Sequence, residues 1–111
     1  MTTEAIVVLC SCPDEPTARH IARELVAERL AACVQRVPGV QSVYRWEGVV
    51  RDEPEVLLAI KTTGSCYQAL EMRLKALHPY DVPEIIALPV VAGSSSYLSW
   101  ILSESVAASH E

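Results

Sequence analysis

Glycine is scarce in this chain, with residues only at positions 39, 48, 64 and 93 of 111, and no cluster of them could cradle a phosphate as a P-loop does. The same scarcity leaves no Gly-x-Ser-x-Gly elbow for a nucleophile. Basic residues are also few: nine Lys and Arg against fourteen Asp and Glu give a formal charge of -5, which argues against the basic face of a nucleic-acid binder. No apolar run approaches the roughly 20 residues of a transmembrane helix. The N-terminal stretch "MTTEAIVVLCSC" has Glu4 where a signal peptide would be basic, and its apolar run is short. These absences predict a cytoplasmic chain with neither nucleic-acid nor membrane partners. Half of the residues are hydrophobic and 21% charged, so residues 1–111 are expected to form one domain with a packed core.

Cysteine, by contrast, is present four times, as Cys10, Cys12, Cys33 and Cys66. Cys10 sits in an apolar strand-like run and Cys33 in "LAACV", contexts in which a thiol behaves as a small hydrophobe. On one strand, Cys10 and Cys12 would have Cα atoms roughly 6.7 Å apart, at the outer edge of disulfide reach. Reduced thiols in an intracellular chain are the expectation.

The apolar periodicity yields a definite order of elements. "EAIVVLCS" is β-branched and apolar throughout, as in a strand buried on both faces. Asp14 offers an N-cap to a helix over "EPTARHIARELVAERLAACV", with Ala18, Ile21, Ala22, Leu25, Val26 and Leu30 on one face. From Val34 to Thr63 the pattern is a long hairpin, with Gly48 in its turn, Pro54 at a bulge or edge and Pro38-Gly39 at a bend. Ser65 and Gln68 fit a capping box before a second helix striped by Tyr67, Leu70, Leu74 and Leu77. Pro79 disfavours helical geometry at His78, so that helix ends there. "EIIALPVV" is a fourth strand, and "YLSWILSESVAAS" a C-terminal helix built on Leu98, Ile101 and Leu102. The sum is an α+β, ferredoxin-like βαββαβ sandwich with a long β-hairpin and an extra C-terminal helix. Tyr44 and Trp46 share a face of the hairpin end, and with Val43, Val49 and Val50 they make it more apolar than a free hairpin tolerates. A subunit interface there is preferred to folding back on the domain's own core.

Few residues stand out as chemistry. Cys10 and Cys12 put two thiols on one strand face, a start for a soft-metal site if other ligands join them, and otherwise packing groups. His78 either caps a helix dipole or binds Cu or Zn as a neutral imidazole. Lys61, Thr62, Thr63, Tyr80, Asp81 and Glu84 would converge if the third and fourth strands lay near each other, and Lys61 would then bind an anion or pair with Glu84. A Cys10–His78 catalytic pair lacks any sign of an oxyanion donor, so no enzyme activity is expected.

The segments "VVLCSCPDEPTA", "AERLAACV", "PGVQSVYRWEG", "LLAIKTT" and "LHPYDVPEIIALPV…YLSW", in that order from about Val7 to Ile101, closely resemble the CutA family, named for divalent-cation tolerance. The resemblance implies a ferredoxin-like subunit assembled as a homotrimer, similar in architecture to PII signalling proteins. It also implies handling of copper or another divalent metal ion, with no organic cofactor. Cys10 matches the family cysteine associated with copper, and His78 a histidine so associated. The chain departs from some members in having Leu77 where they carry a second histidine, while Cys12 is an added soft donor. Two alternatives remain at this level: a PII-like trimer in which Lys61 meets a small anionic ligand, and a structural trimer that binds metal incidentally.

Overall fold

The central strand is the one the sequence makes most apolar. In the computed structural model, which describes residues 3–106, β1 (Ala5–Cys12) lies inside a sheet of order β2-β3-β1-β4. Its partners β2 (Cys33–Trp46), β3 (Val49–Thr63) and β4 (Ile86–Pro89) all pair antiparallel with their neighbours. Helices α1 (Glu15–Ala27), α2 (Tyr67–Leu77) and α3 (Ser95–Glu104) complete an α+β architecture.

Strand alternation sends Val8, Cys10 and Cys12 of β1, with Val56, Leu58 and Ile60 of β3, to one face of the sheet. Ile21 and Leu25 of α1 and Leu70 and Leu74 of α2 cover that face. Each such aliphatic side chain stabilises the fold by about 1.5–3 kcal/mol on burial. The opposite face carries Val7, Leu9, Leu57 and Ala59, joined by Val37, Ile86 and Leu88. There α3 covers only the Ala5 end, through Ile101 against Ala5 and Ala32. Val37, Ile86 and Leu88 remain about half exposed.

The hairpin is built as its turn residues dictate. Glu47 and Gly48 both have positive φ, at 51° and 79°, which is the two-residue type I′ arrangement matched to strand twist. Pro38 and Gly39 form a bulge, since Val37 pairs with Leu57 and Val40 with Glu55, and Gly39 has φ 78°. Pro54 lies beyond the Cys12–Val56 pair where β1 ends, so β3 has a free edge that needs no N–H.

Four local expectations are corrected. The first helix stops at Ala27 because Arg29 adopts φ 61° and closes a Schellman motif: Leu30 N–H donates to the Leu25 carbonyl and Arg29 N–H to Val26. Leu30 therefore reaches the core from outside the helix, while Val26 is 42% exposed. The capping box of α2 does not form: a 3-10 turn over Gly64–Cys66 precedes the helix, and Ser65 Oγ pairs instead with Thr63 Oγ1. The fourth strand shortens to Ile86–Pro89, although Val90 N–H still donates to the Ala5 carbonyl at 3.2 Å just beyond it. In α3, Ile101 is buried but Leu102 is 38% exposed, and the helix ends at Glu104, with the tail of the expected span outside the described residues.

Candidate metal centre and adjoining cleft

The last turn of α2 and the end of β1 meet at His78. Pro79 forces His78 into an extended conformation, φ -83° and ψ 138°, which ends the helix and turns the imidazole toward β1. Its Nε2–H donates to the Ser11 carbonyl at 2.8 Å, and Nδ1 accepts from the Tyr80 N–H at 3.2 Å. Cys10 and Cys12 point to the same place, because residues two apart on a strand share a face. One ligand atom from each of Cys10, Cys12 and His78 lies within 4.8 Å of the others, and all three residues are buried.

Each group alters the others' proton affinity. The contact with Cys10 is the main cause that pulls the Cys12 thiol down to about 6, against the opposing effect of burial and with the help of His78. Cys10 moves far above the ordinary thiol range, because it shares its proton with Cys12 and is buried. The pair therefore gives up one proton readily and holds the second tightly. Burial disfavours a charged His78, but Cys12 and the Ser11 carbonyl outweigh it, so the ring is more basic than an ordinary histidine. Two sulfurs and an imidazole are soft donors suited to copper or zinc, and unlike the all-oxygen shells of Mg or Ca. The donor set fits the kind of metal that the resemblance implies.

Beside this cluster, on the other side of Ser11 and Tyr80, opens a cleft of about 800 Å³ between the hairpin end and the 80–84 segment. Tyr44, Trp46, Glu53, Glu55, Tyr80 and Glu84 are among its walls. Tyr80 Oη–H donates to Glu55 Oε2 at 3.1 Å, Ser11 Oγ–H donates to Glu84 Oε1 at 3.1 Å, and Tyr44 Oη–H donates to Glu53. Burial and the Glu55 carboxylate push the Tyr80 phenol well above its ordinary value.

Cys10, Cys12 and His78 thus stand together, with Tyr80 one hydrogen bond away and Glu84 linked to them only through Ser11. Lys61 is not brought to them. β1 separates β3 from β4, Lys61 pairs with Val7 and Cys33 on the sheet face opposite Cys10 and Cys12, several residues along the strands from Ser11, and its ammonium donates to Gln35. Thr62 and Thr63 bind Leu30 and Ser65 rather than the 80–84 segment. Tyr44 and Trp46 line the cleft, with Trp46 42% exposed. Sequence reasoning missed Ser11, Glu53 and Glu55. The alternation that makes Leu58 and Ile60 core residues also puts Glu55 on the face opposite them, a signal that was available.

A small α+β protein with a buried thiol–imidazole cluster beneath an open cleft is the class that this geometry defines. The family model described as "CutA1 divalent ion tolerance protein" matches residues 6–104. The chain is 55% identical over 95 residues to the divalent-cation tolerance protein CutA of Thermus thermophilus, covering 86% of this chain and 92% of that one. Among solved structures, the Thermus thermophilus divalent cation tolerance protein superposes with a TM-score of 0.90 at 51% identity, over 92% of this chain and 99% of that one. CutA from Xylella fastidiosa superposes with a TM-score of 0.91 at 45% identity, over 94% and 100%. The chain belongs to the CutA divalent-cation tolerance family.

Proposed function

We propose that this chain serves divalent-cation tolerance as a homotrimer that captures copper or another thiophilic metal ion at the cluster of Cys10, Cys12 and His78. The observation that carries the reading is the approach of those three ligand atoms to within 4.8 Å inside a buried pocket. A bound metal would supply a thiolate-favouring Lewis acid, and the chain's own part is to present two sulfurs from β1 and to exclude water. The role is binding, not catalysis. The strand order supports reading the subunit as ferredoxin-like.

The half-covered sheet face supports assembly. Val37, Ile86 and Leu88 on that face, and Val43, Trp46, Val49 and Val50 at the hairpin end, are large apolar groups that a neighbouring copy would bury. A PII-like anion reading has less support, because Lys61 lies away from the cleft and Glu53, Glu55 and Glu84 line it.

Anaerobic titration of the purified protein with Cu(I), beside an aerobic Cu(II) titration, tests the reading. One ion per subunit, lost in Cys10→Ser, is the expected result; weak binding that Cys10→Ser leaves unchanged would favour a structural trimer with incidental metal binding. Light scattering should give about 36 kDa, three times the 12.1 kDa subunit. Leu88→Glu, at a half-exposed position within the subunit, should lower that mass, and a parent mass of one subunit would refute the trimer.

A further inference from the structure

We propose that Cys10 and Cys12 together hold the ion as a dithiolate pair selective for a soft monovalent metal, and that His78 is a positioning residue beside it. The inference rests on the metal reading above and divides the roles within the cluster.

Both ring nitrogens of His78 are already engaged, Nε2–H with the Ser11 carbonyl and Nδ1 with the Tyr80 N–H. Ligation through either nitrogen breaks one of these bonds and strands a polar group in a buried setting, at about 1–3 kcal/mol. The two sulfurs have no such commitment to the backbone.

Two donors bonded to one ion at about 2.3 Å can be at most about 4.6 Å apart. The sulfurs lie within 4.8 Å of each other, so small side-chain rotations close the pair on an ion. Neither residue shows any solvent-accessible surface, so water does not complete a coordination shell there. No Asp or Glu joins the three-residue group among the described residues. A tetrahedral Zn site needs four ligands, whereas Cu(I) and Ag(I) are soft ions that thiolates select. On binding near neutral pH, where Cys12 is largely a thiolate, the Cys10 S–H bond breaks, two S–metal bonds form and one proton leaves to solvent (two where both thiols start protonated), with no change in oxidation state.

His78 ties α2 to β1 through Ser11 and Leu74, and so fixes where Cys12 points. An outer residue of this kind typically changes metal affinity by about 10–100-fold when removed. Gln can still donate to the Ser11 carbonyl, yet it is a poor ligand for a soft ion.

The test is a chelator-competition titration with Cu(I) and with Ag(I), under anaerobic conditions, on the parent, Cys12→Ser, Cys12→Ala, His78→Ala and His78→Gln. Circular dichroism and subunit mass confirm the fold of each variant. Cys12→Ser and Cys12→Ala should lower affinity more than roughly a thousandfold, beyond the outer-shell range, and abolish the ultraviolet thiolate-to-copper absorption. His78→Ala should lower it by about 10–100-fold, and His78→Gln should restore most of that with the absorption intact. Parent-like binding in either folded Cys12 variant, or equal large losses in both His78 variants, would overturn the assignment while leaving metal capture in place. Absence of binding by the parent would overturn both.

Discussion

Removing the Tyr80 hydroxyl should destabilise the subunit far more than removing that of Tyr44, although both donate to a glutamate in the same cleft. Glu55 is 8% exposed and takes its hydrogen bond from Tyr80 at 3.1 Å, whereas Glu53 and Tyr44 are only half-buried. A hydrogen bond to a charged group contributes about 1.5–3 kcal/mol, and a buried acceptor left unsatisfied loses a comparable amount. The 800 Å³ cleft lets water replace part of the lost donor, which moves the expected cost of Tyr80→Phe to the lower end, about 1–2 kcal/mol. With a urea dependence of about 1–3 kcal/mol per molar, the unfolding midpoint should fall by roughly 1 M. Urea melts at one fixed subunit concentration are the assay, because the midpoint of an oligomer depends on concentration. Replacing both partners, as in Tyr80→Phe with Glu55→Leu, should recover much of the loss. A Tyr80→Phe midpoint no lower than that of Tyr44→Phe would refute the claim that the buried carboxylate sets the energetics here.

Three further outcomes follow from local structure. Asp14 accepts from the Thr17 N–H at 2.9 Å, which holds its carboxyl below the usual value in the folded state. Its contribution is therefore present above the unfolded carboxyl value and fades as pH falls through the lower folded one, so Asp14→Ala should flatten the acid limb of a stability–pH curve. Thr62 Oγ1 donates to the Leu30 carbonyl at 2.7 Å in the core, and Thr62→Val should cost about 1–2 kcal/mol in the same urea assay. Glu47 has φ 51° in the hairpin turn, a conformation that Asn tolerates better, so Glu47→Asn should stabilise the fold by about 0.5 kcal/mol and raise the urea midpoint slightly.

Much of the architecture was legible because local signals agreed with long-range ones. The apolar β1 run, the Asp14 cap, the Gly48 turn, the Pro38-Gly39 bend and the Pro79 stop each identify an element or a boundary by a mechanism that acts within a few residues. The end of α1 was not legible in the same way. Its left-handed residue is Arg29, where a glycine or asparagine would have announced the motif, and its carbonyl is fixed by Val106 from the far end of the chain. The neighbourhood of His78 was half legible: chain-local rules fixed its backbone, but its partners come from Ser11 and Tyr80 through the fold. Lys61 shows the limit most plainly. Its expected meeting with Glu84 depended on which strand lies between β3 and β4, and the intervening strand is β1.

X-ray absorption at the copper edge of the Cu(I)-loaded protein reads out whether the buried cluster captures the metal. The account predicts a shell of two sulfur scatterers at about 2.3 Å or slightly less, absent in Cys10→Ser. A shell made only of nitrogen and oxygen near 2.0 Å would place the metal elsewhere and contradict the account.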